Sequence, residues 1–473
     1  MSHKITRAVA AALAAMGECA NPLKIKEVAV PISLAARRAR AMTPTMKNVA
    51  VTFTLTLGAL GLGTLATTSG AHASGFALPD ASAAGIATTN ALVANPEELG
   101  AIPYNPAAMG FHDTSSVALG GFLIGPSFSV TTASGKHDSQ GADWTFLPSF
   151  QAAIKLADQW RLGLGLHVPY GLETRWTYGT FPLLSQQINL GPVTLPTASH
   201  PTASKLEILN FVPTLAYRVT PDLSLSAGMD IYWAKTAQLD SNLAELSGDG
   251  TGFGFNLSAM YRRNAWTLGA SFHSAATIDL EGDYTALNPT MVALKLLQPS
   301  QAASLDLDLP WRLQLGLRYE ISPSLAAEFD WSYTGWSRFQ QLEIYGKQDG
   351  ALIFADTNDW HNASAYRLGL TWQVQPATQL RFGYSYDQSA QDDDYFSARV
   401  PDTDRHLFGI GVAQDLGDGF AVEASYLYVM GVDRDYASTV PYTKTSGVNG
   451  TAALNGDYEM SAHLIGIEVS KTF

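Results

Sequence analysis

The sequence predicts an all-β protein: a 14-stranded antiparallel transmembrane β-barrel of the outer membrane with an N-terminal hatch inside the lumen. Three observations predict it. Segments of period 2 run from about residue 115 to the end, short and long connections alternate between them, and the last strand ends on Phe473 itself. A soluble sandwich buries its apolar faces against a second sheet, whereas apolar faces that end in Trp or Tyr suit lipid bounded by aromatic girdles.

Taken in order, residues 1–45 read as an upstream extension, either a start placed too far upstream or an extended signal region. They hold seven Lys/Arg against Glu18 and Glu27, and the only cysteine, Cys19. Residues 46–73 read as a signal peptide. Met46-Lys47 opens it, Val49 to Ala66 is apolar and uncharged, and Ala71-His72-Ala73 is a small-x-small cleavage site. No apolar run in the body of the chain reaches the roughly 20 residues of a spanning helix.

Residues 74–113 form the predicted hatch, SGFALPDASAAGIATTNALVANPEELGAIPYNPAAMGFHD. The stretch is rich in Ala, Gly and Asn, carries few charges, and has no clean period of 2 or 3.6. It is too apolar to hang in water and too broken to be a strand, so it is placed inside the barrel.

Residues 114–473 form the barrel, with strands at roughly 115–130, 144–156, 160–170, 205–219, 223–239, 252–262, 266–280, 304–320, 324–342, 363–375, 378–388, 406–415, 420–430 and 463–473. Trp311 to Ile321 is the clearest: Trp311, Leu313, Leu315, Leu317, Tyr319 and Ile321 face one way, Arg312, Gln314, Gly316, Arg318 and Glu320 the other. Six short turns alternate with seven longer connections, which puts both chain ends on the short-turn, periplasmic side.

The third strand breaks the pattern at His167-Val168-Pro169-Tyr170-Gly171. Proline cannot donate to a ladder and sits at sheet edges, strand ends or bulges. It either ends this strand or kinks it inward and leaves a gap in the wall, where Gly163, Gly165 and Gly171 remove side chains. Two long loops are greasy: Leu172 to Ser204, with Phe181, Leu183, Leu184 and Ile188, and Asn288 to Gln298, with Met291, Leu294 and Leu296 and a short helix. Exposed apolar patches mark binding surfaces; the other reading is a lid of loops packed on one another.

Charge excludes one partner class. The chain carries a formal −13, and residues 1–73 hold eight Lys/Arg and two Asp/Glu, a net +6, so residues 74–473 carry −19. That argues against nucleic acid and suits acidic outer loops screened by divalent ions and lipopolysaccharide. Residues 74–473 hold no cysteine, and His137, His200, His361 and His406 lack metal-ligand spacing. No cofactor or metal is expected. Asp392-Asp393-Asp394 reads as a calcium or lipopolysaccharide contact or, more simply, a solvated loop. Charges on the lumenal face, among them Arg161, Arg312, Glu328, Asp330, Glu423 and Glu468, must be paired or wet, and read as ties between wall and hatch. An enzyme would need a nucleophile beside a base, and His273 with Ser271 or Ser274 is the pairing available.

Several segments resemble the long-chain fatty-acid transporters of the FadL/TodX type: Gly75-Phe76-Ala77-Leu78, Ala84-Gly85, Asn105-Pro106-Ala107, LDLDLPWRLQLGLRY (305–319), FDWSYTGWSRFQQL (329–342), AYRLGLTW (365–372) and Val400-Pro401-Asp402-Thr403-Asp404-Arg405. The resemblance implies a hatch-closed barrel of fourteen strands and apolar substrates that leave sideways through a kink in the third strand. It implies that Gly75, Phe76 and Leu78 lie near the substrate, that Asn105 fixes the hatch by side-chain-to-backbone hydrogen bonds, and that Pro106 prevents helix or strand there. Where fatty-acid members carry a basic residue, this chain has Glu343, which would repel a carboxylate unless Lys347, Arg318, Arg367 or Arg381 substitutes. The loop Asp240 to Thr251 is short compared with theirs.

The expected function is passive uptake of hydrophobic molecules, long-chain fatty acids or related lipophilic compounds: capture on the outer loops, hatch movement, then lateral diffusion into the outer leaflet. The alternatives are a general porin for polar solutes and an outer-membrane lipid-modifying enzyme.

Overall fold

The computed structural model describes residues 75–473 except 79–80, 140–143, 190, 192 and 444–446. The upstream extension and the signal peptide lie outside the described residues. No helix among the described residues is long and apolar enough to cross a membrane, and the wall is built of strands alone.

Fourteen strands close into one antiparallel ring. They are β1 (Ser116–Thr132), β2 (Thr145–Lys155), β3 (Trp160–Arg175), β4 (Pro201–Thr220), β5 (Leu223–Ser241) and β6 (Ala244–Arg263). Four strands in two pieces follow: β7 (Trp266–His273 and Ala276–Ala286), β8 (Gln301–Leu309 and Arg312–Ser322), β9 (Leu325–Thr334 and Gln341–Gly346) and β10 (Leu352–Thr357 and Ala363–Gln375). The last four are β11 (Thr378–Asp387), β12 (Arg405–Gly417), β13 (Phe420–Gly431) and β14 (Gly456–Thr472). β1 pairs with β14 from Ser116↔Thr472 to Thr131↔Asp457, which leaves the cylinder without a free sheet edge along this seam.

Alternation sets each face. Along β10, Tyr366, Leu368, Leu370 and Trp372 are exposed, while Ala365, Arg367, Gly369 and Thr371 are buried. The first set meets hydrocarbon and the second faces the lumen. Ring pairs gather beside the short turns, Trp160 with Tyr217 at 4.5 Å and Trp266 with Tyr319 at 4.3 Å between centroids, where an aromatic girdle sits at the interface. Those turns use left-handed backbone at Asn264 (φ 56°) and Asp418 (φ 52°), the residue types that tolerate it.

Several boundaries differ from the sequence reading; the largest shift is in β10, which starts at Leu352 where 363 was expected. Residues 240–251 are mostly strand, since β5 runs to Ser241 and β6 starts at Ala244; Gly248 and Gly250 continue the ladder with β7. β14 begins at Gly456, seven residues earlier than expected, because its upper half pairs with β1. Pro169 does not end β3, which continues to Arg175.

Residues 81–112 lie within the ring and are almost wholly buried. They form the short helix α1 (Ala83–Ala87) and two 3-10 turns, Leu99–Ala101 and Pro106–Phe111. Ser82 caps α1, its Oγ accepting from Gly85 N at 3.0 Å. Asn105 caps the last turn through Ala107 N at 3.1 Å with Pro106 in the first position. Pro106 therefore opens a helical turn where it was expected to forbid one. The first position has no intrahelical N–H bond to lose.

Candidate functional site

β2 and β3 pair only from Lys155↔Arg161 to Phe150↔Leu166. Beyond that point Thr145 to Ser149 of β2 pair with β1 alone. On the other side of β3 the register with β4 shifts between His167↔Asn210 and Tyr170↔Ile208. Val168 and Pro169 fall in this bulge. Pro169 has no N–H for a ladder and forces the strand away from its neighbour.

The chain just before α1 occupies the edge that opens. Leu78 N donates to Pro169 O at 2.7 Å, Gly171 N donates to Phe76 O at 3.0 Å, and Ala77 bridges Tyr170. Gly75–Leu78 thus forms a strap paired to the kinked strand. Gly171 lets the strap lie close: a Cβ there would sit 2.6 Å from Leu78 Cδ1, and the leucine side chain would have to move. At the strap's start Gly75 (φ 51°) donates to Asp402 Oδ2 at 3.1 Å, and that carboxylate also accepts from Ser389 Oγ and Ala390 N, each at 2.8 Å.

Phe76 is buried in a box of rings. Centroid distances are 4.8 Å to Trp336, 5.4 Å to Phe339, and 5.8 Å to both Trp360 and Tyr170. Each such pair contributes about 0.5–1.5 kcal/mol beyond its buried area. Trp336 and Phe339 come from the break between the two pieces of β9, and Trp360 from the break in β10.

Two apolar cavities meet at this box. The first, about 110 Å³, is lined by Leu246, Leu280, Leu305, Leu342 and Ile344, with Asp356 and Arg399 as its buried charged members. The second, about 140 Å³, is lined by Leu78, Ile124, Leu147, Val168, Gly171 and Leu464 and reaches the gap between β2 and β3. Both are bounded by Phe76, Leu172, Lys205, Leu206 and Val400. The strap and its phenylalanine stand between them.

The rest of the inner segment is tied to the wall by buried polar groups. Two carboxylates of β9 hold it, Asp330 Oδ2 accepting from Val93 N at 2.9 Å and Glu328 Oε1 from Ala94 N at 2.6 Å. Asn105 Nδ2 donates to Val93 O at 2.7 Å and to Ala259 O of β6 at 3.1 Å. Ala107 N donates to Ser258 Oγ of β6 at 3.1 Å. Arg381 of β11 grips Glu98 of the inner segment and Glu423 of β13, each at 2.5 Å.

Of the sequence-predicted residues, the structure brings Gly75, Phe76 and Leu78 together with Val168, Tyr170 and Gly171. His167 is buried on the lumenal side just below the bulge. The three arginines stand elsewhere. Arg318 pairs with Glu328 at 3.4 Å, Arg367 with Asp387 at 3.3 Å, and Arg381 is the clamp above; none of the three lines either cavity. Glu343 does not face the first cavity: Leu342 and Ile344 line it, and the intervening carboxylate bonds Gln341 and Tyr345 on the other face. Lys347 is bound to Glu281 at 2.7 Å. Asp393 of the triple-aspartate run pairs with Arg434 at 2.6 Å. Ser271 Oγ has no hydrogen-bond partner among the described residues, and His273 Nδ1 contacts Asp230 at 2.9 Å.

Sequence reasoning missed Trp336, Phe339, Trp360 and Arg399. The available signal was an aromatic residue beside each break in β9 and β10 and a lone arginine next to Val400. Arg399 Nη1 donates to Ala203 O at 3.1 Å, Ser204 Oγ at 3.1 Å and Asp240 O at 2.9 Å, and so binds its loop to β4 and β5. The greasy loop after β3 packs in part on its neighbours, with Trp176, Phe181 and Leu184 buried against Phe396 and Tyr436. Leu183, Ile188, Leu294 and Leu296 stay exposed.

A closed lipid-facing cylinder, a filled lumen and apolar cavities at a break in the wall define a transport barrel of the outer membrane. Residues 64–473 match the family described as outer membrane protein transport protein (OMPP1/FadL/TodX), and the chain belongs to that family. It is 26% identical over 353 residues to the long-chain fatty acid transport protein of Escherichia coli O6:H1 (strain CFT073), covering 72% of this chain and 68% of that protein. Its fold is similar to that of a Pseudomonas aeruginosa FadL homologue, with TM-score 0.74, 19% identity, and coverage of 85% of this chain and 100% of the other. The Ralstonia pickettii toluene transporter TbuX shares the fold at TM-score 0.61 and 16% identity, over 83% of this chain and 98% of the transporter.

Proposed function

We propose that the protein admits hydrophobic molecules passively, passing them from the first cavity to the second when the strap lifts, and releasing them sideways between β2 and β3 into the outer leaflet. The observation that carries this reading is the pairing of Phe76–Leu78 with Pro169–Gly171 at the partition between two apolar cavities. Capture on the exposed leucines of the outer loops supplies the driving force, about 25 cal/mol per Å² of apolar surface removed from water. A route through the wall spares the substrate both an aqueous bore and the polar lipopolysaccharide layer, which the acidic outer loops face with divalent ions between. The relatives named as fatty acid and toluene transporters support an apolar cargo.

In this reading Gly75, Phe76 and Leu78 form the moving part, His167 to Gly171 the lateral gate, and Asn105, Pro106 and Ala107 part of the fixed hatch. Arg318, Arg367 and Arg381 hold wall and hatch together. The buried lumen speaks against a general porin; of the serines near His273, Ser274 Oγ accepts from Phe255 N and donates to Ala275 O, and the histidine's Nδ1 is engaged by Asp230.

A disulfide tests the reading. Ala77 and Tyr170 oppose each other as a non-hydrogen-bonded pair, whose Cα atoms lie about 4.5 Å apart in such ladders. Residues 74–473 have no native cysteine to interfere. Ala77→Cys with Tyr170→Cys is expected to block uptake of a radiolabelled lipophile when oxidised and to restore it on reduction. Equal uptake in both states counts against a moving strap.

A further inference from the structure

We infer that the ring box holding Phe76 is a binding site for a neutral monoaromatic molecule bearing a hydrogen-bond acceptor, and that Phe76 is the hatch's own stand-in for that ring. The inference rests on the reading that the strap leaves its resting place. Phe76 meets Trp336, Phe339 and Tyr170 edge-on and Trp360 at a tilt, so a flat six-membered ring is the shape the four walls fit.

The polar content of the box adds the second requirement. The indole N–H groups of Trp336 and Trp360 are buried, the residues 0% and 2% exposed, and neither has an acceptor among the described residues. A buried donor left unpaired is costly, and buried tryptophans ordinarily find a partner. A phenylalanine has no acceptor to offer them. The space beside the Trp336 donor belongs to the strap: a Cβ on Gly75 would lie 3.0 Å from Trp336 Cε2, the carbon bonded to that nitrogen, and 2.5 Å from Trp360 Cζ3. Withdrawal of Gly75 and Phe76 therefore opens a ring-sized space with its backbone end next to an unused donor.

An alkyl chain would fill that space and leave both donors unpaired. A plain hydrocarbon ring would gain the edge contacts only. An aryl ketone, aldehyde, ether or ester gains the contacts and a hydrogen bond. An aryl carboxylate is disfavoured, because the Asp402 carboxylate lies at the same end, 3.1 Å from Gly75 N. Such a ligand would open the partition by competing with Phe76 for one box.

Acetophenone and cumene, near-isosteres with and without an acceptor, provide the test on the full-length barrel in nanodiscs. In wild type, acetophenone is expected to shift the ultraviolet resonance Raman band that reports indole N–H hydrogen bonding, and cumene to leave it in place. Trp336→Phe is expected to weaken acetophenone by roughly tenfold, the worth of one such bond, and cumene by no more than about twofold. Phe76→Ala is expected to tighten both by removing the tethered competitor. Binding of both probes without a band shift, or equal weakening of acetophenone and cumene in Trp336→Phe, overturns this inference and leaves the transport reading standing. If neither probe binds the wild-type protein nor enters vesicles through it, the transport reading falls as well.

Discussion

Leu78 donates its backbone N–H to the carbonyl oxygen of Pro169 at 2.7 Å, which seats the strap on the edge of β3 that β2 leaves open. The residue that breaks the wall's ladder is thus the residue the inner segment uses to cover the break. Opening the route sideways costs two backbone hydrogen bonds and the ring contacts of Phe76, a sum of a few kcal/mol in order of magnitude. A gate of that strength can be shifted by a ligand that competes for the same contacts.

Filling the gap should close it. Gly171→Trp places an indole where even a Cβ would lie 2.6 Å from Leu78 Cδ1. Uptake of a labelled lipophile by whole cells is expected to drop at least tenfold, while the heat-modifiable mobility that marks a folded barrel on gels is retained. Undiminished uptake would rule out exit past Gly171.

Cutting the clamp should loosen the hatch. Arg381 is 3% exposed and grips Glu98 and Glu423, so Arg381→Met strands one buried carboxylate, Glu423, and one half-buried, Glu98. Breaking a buried pair from one side costs about 3–5 kcal/mol. A lower denaturant midpoint and protease cutting within residues 94–104 are expected; Glu98→Gln, which keeps an acceptor, should show less of both.

Asn105→Ala should weaken the inner segment without touching either cavity. The side chain caps Pro106–Phe111 and spans Val93 O and Ala259 O. A loss of about 1–2 kcal/mol is expected from the cap and its bonds, read as a shift in unfolding midpoint, with apolar probe binding unchanged.

Asp356 should make the outer hairpin of β9 and β10 sensitive to pH. Burial raises its pKa from 3.8 to about 7, against the pull of Arg399 and a hydrogen bond from Asn449. The folded state therefore holds a proton that the unfolded state releases from about pH 4 upward. Stability is highest below that point, declines as pH rises through about 7, and is then level. The difference is about 4 kcal/mol at most. Amide protection factors in residues 341–357, which remove the intrinsic rise of exchange with pH, are expected to fall between about pH 4 and 7 in wild type and to stay level in Asp356→Asn; a level wild-type profile would contradict the burial argument.

Much of the fold was readable from local chemistry. Alternation at period 2 assigns each strand residue to lipid or lumen because a pleated strand has only two faces. Turn residues mark where strands reverse, and proline marks the flaw in β3 because it lacks a donor wherever it stands. Strand number, the side on which both ends lie and the place of the kink follow from such rules without knowing any neighbour.

What only the tertiary structure decided are the relations between residues far apart in the chain. Arg381 could have met any of several carboxylates, and the register of the closed ring put Glu98, 283 residues away, within its reach. Glu343 was expected to repel a carboxylate ligand, and the tertiary structure puts its neighbours Leu342 and Ile344 on the first cavity with the carboxylate bonded to Gln341 and Tyr345 on the other face. Phe76 looked like one apolar residue among many, and its box came from separate breaks in β9 and β10. Faces follow from nearest neighbours along the backbone, whereas partners depend on how fourteen registers add up around a ring.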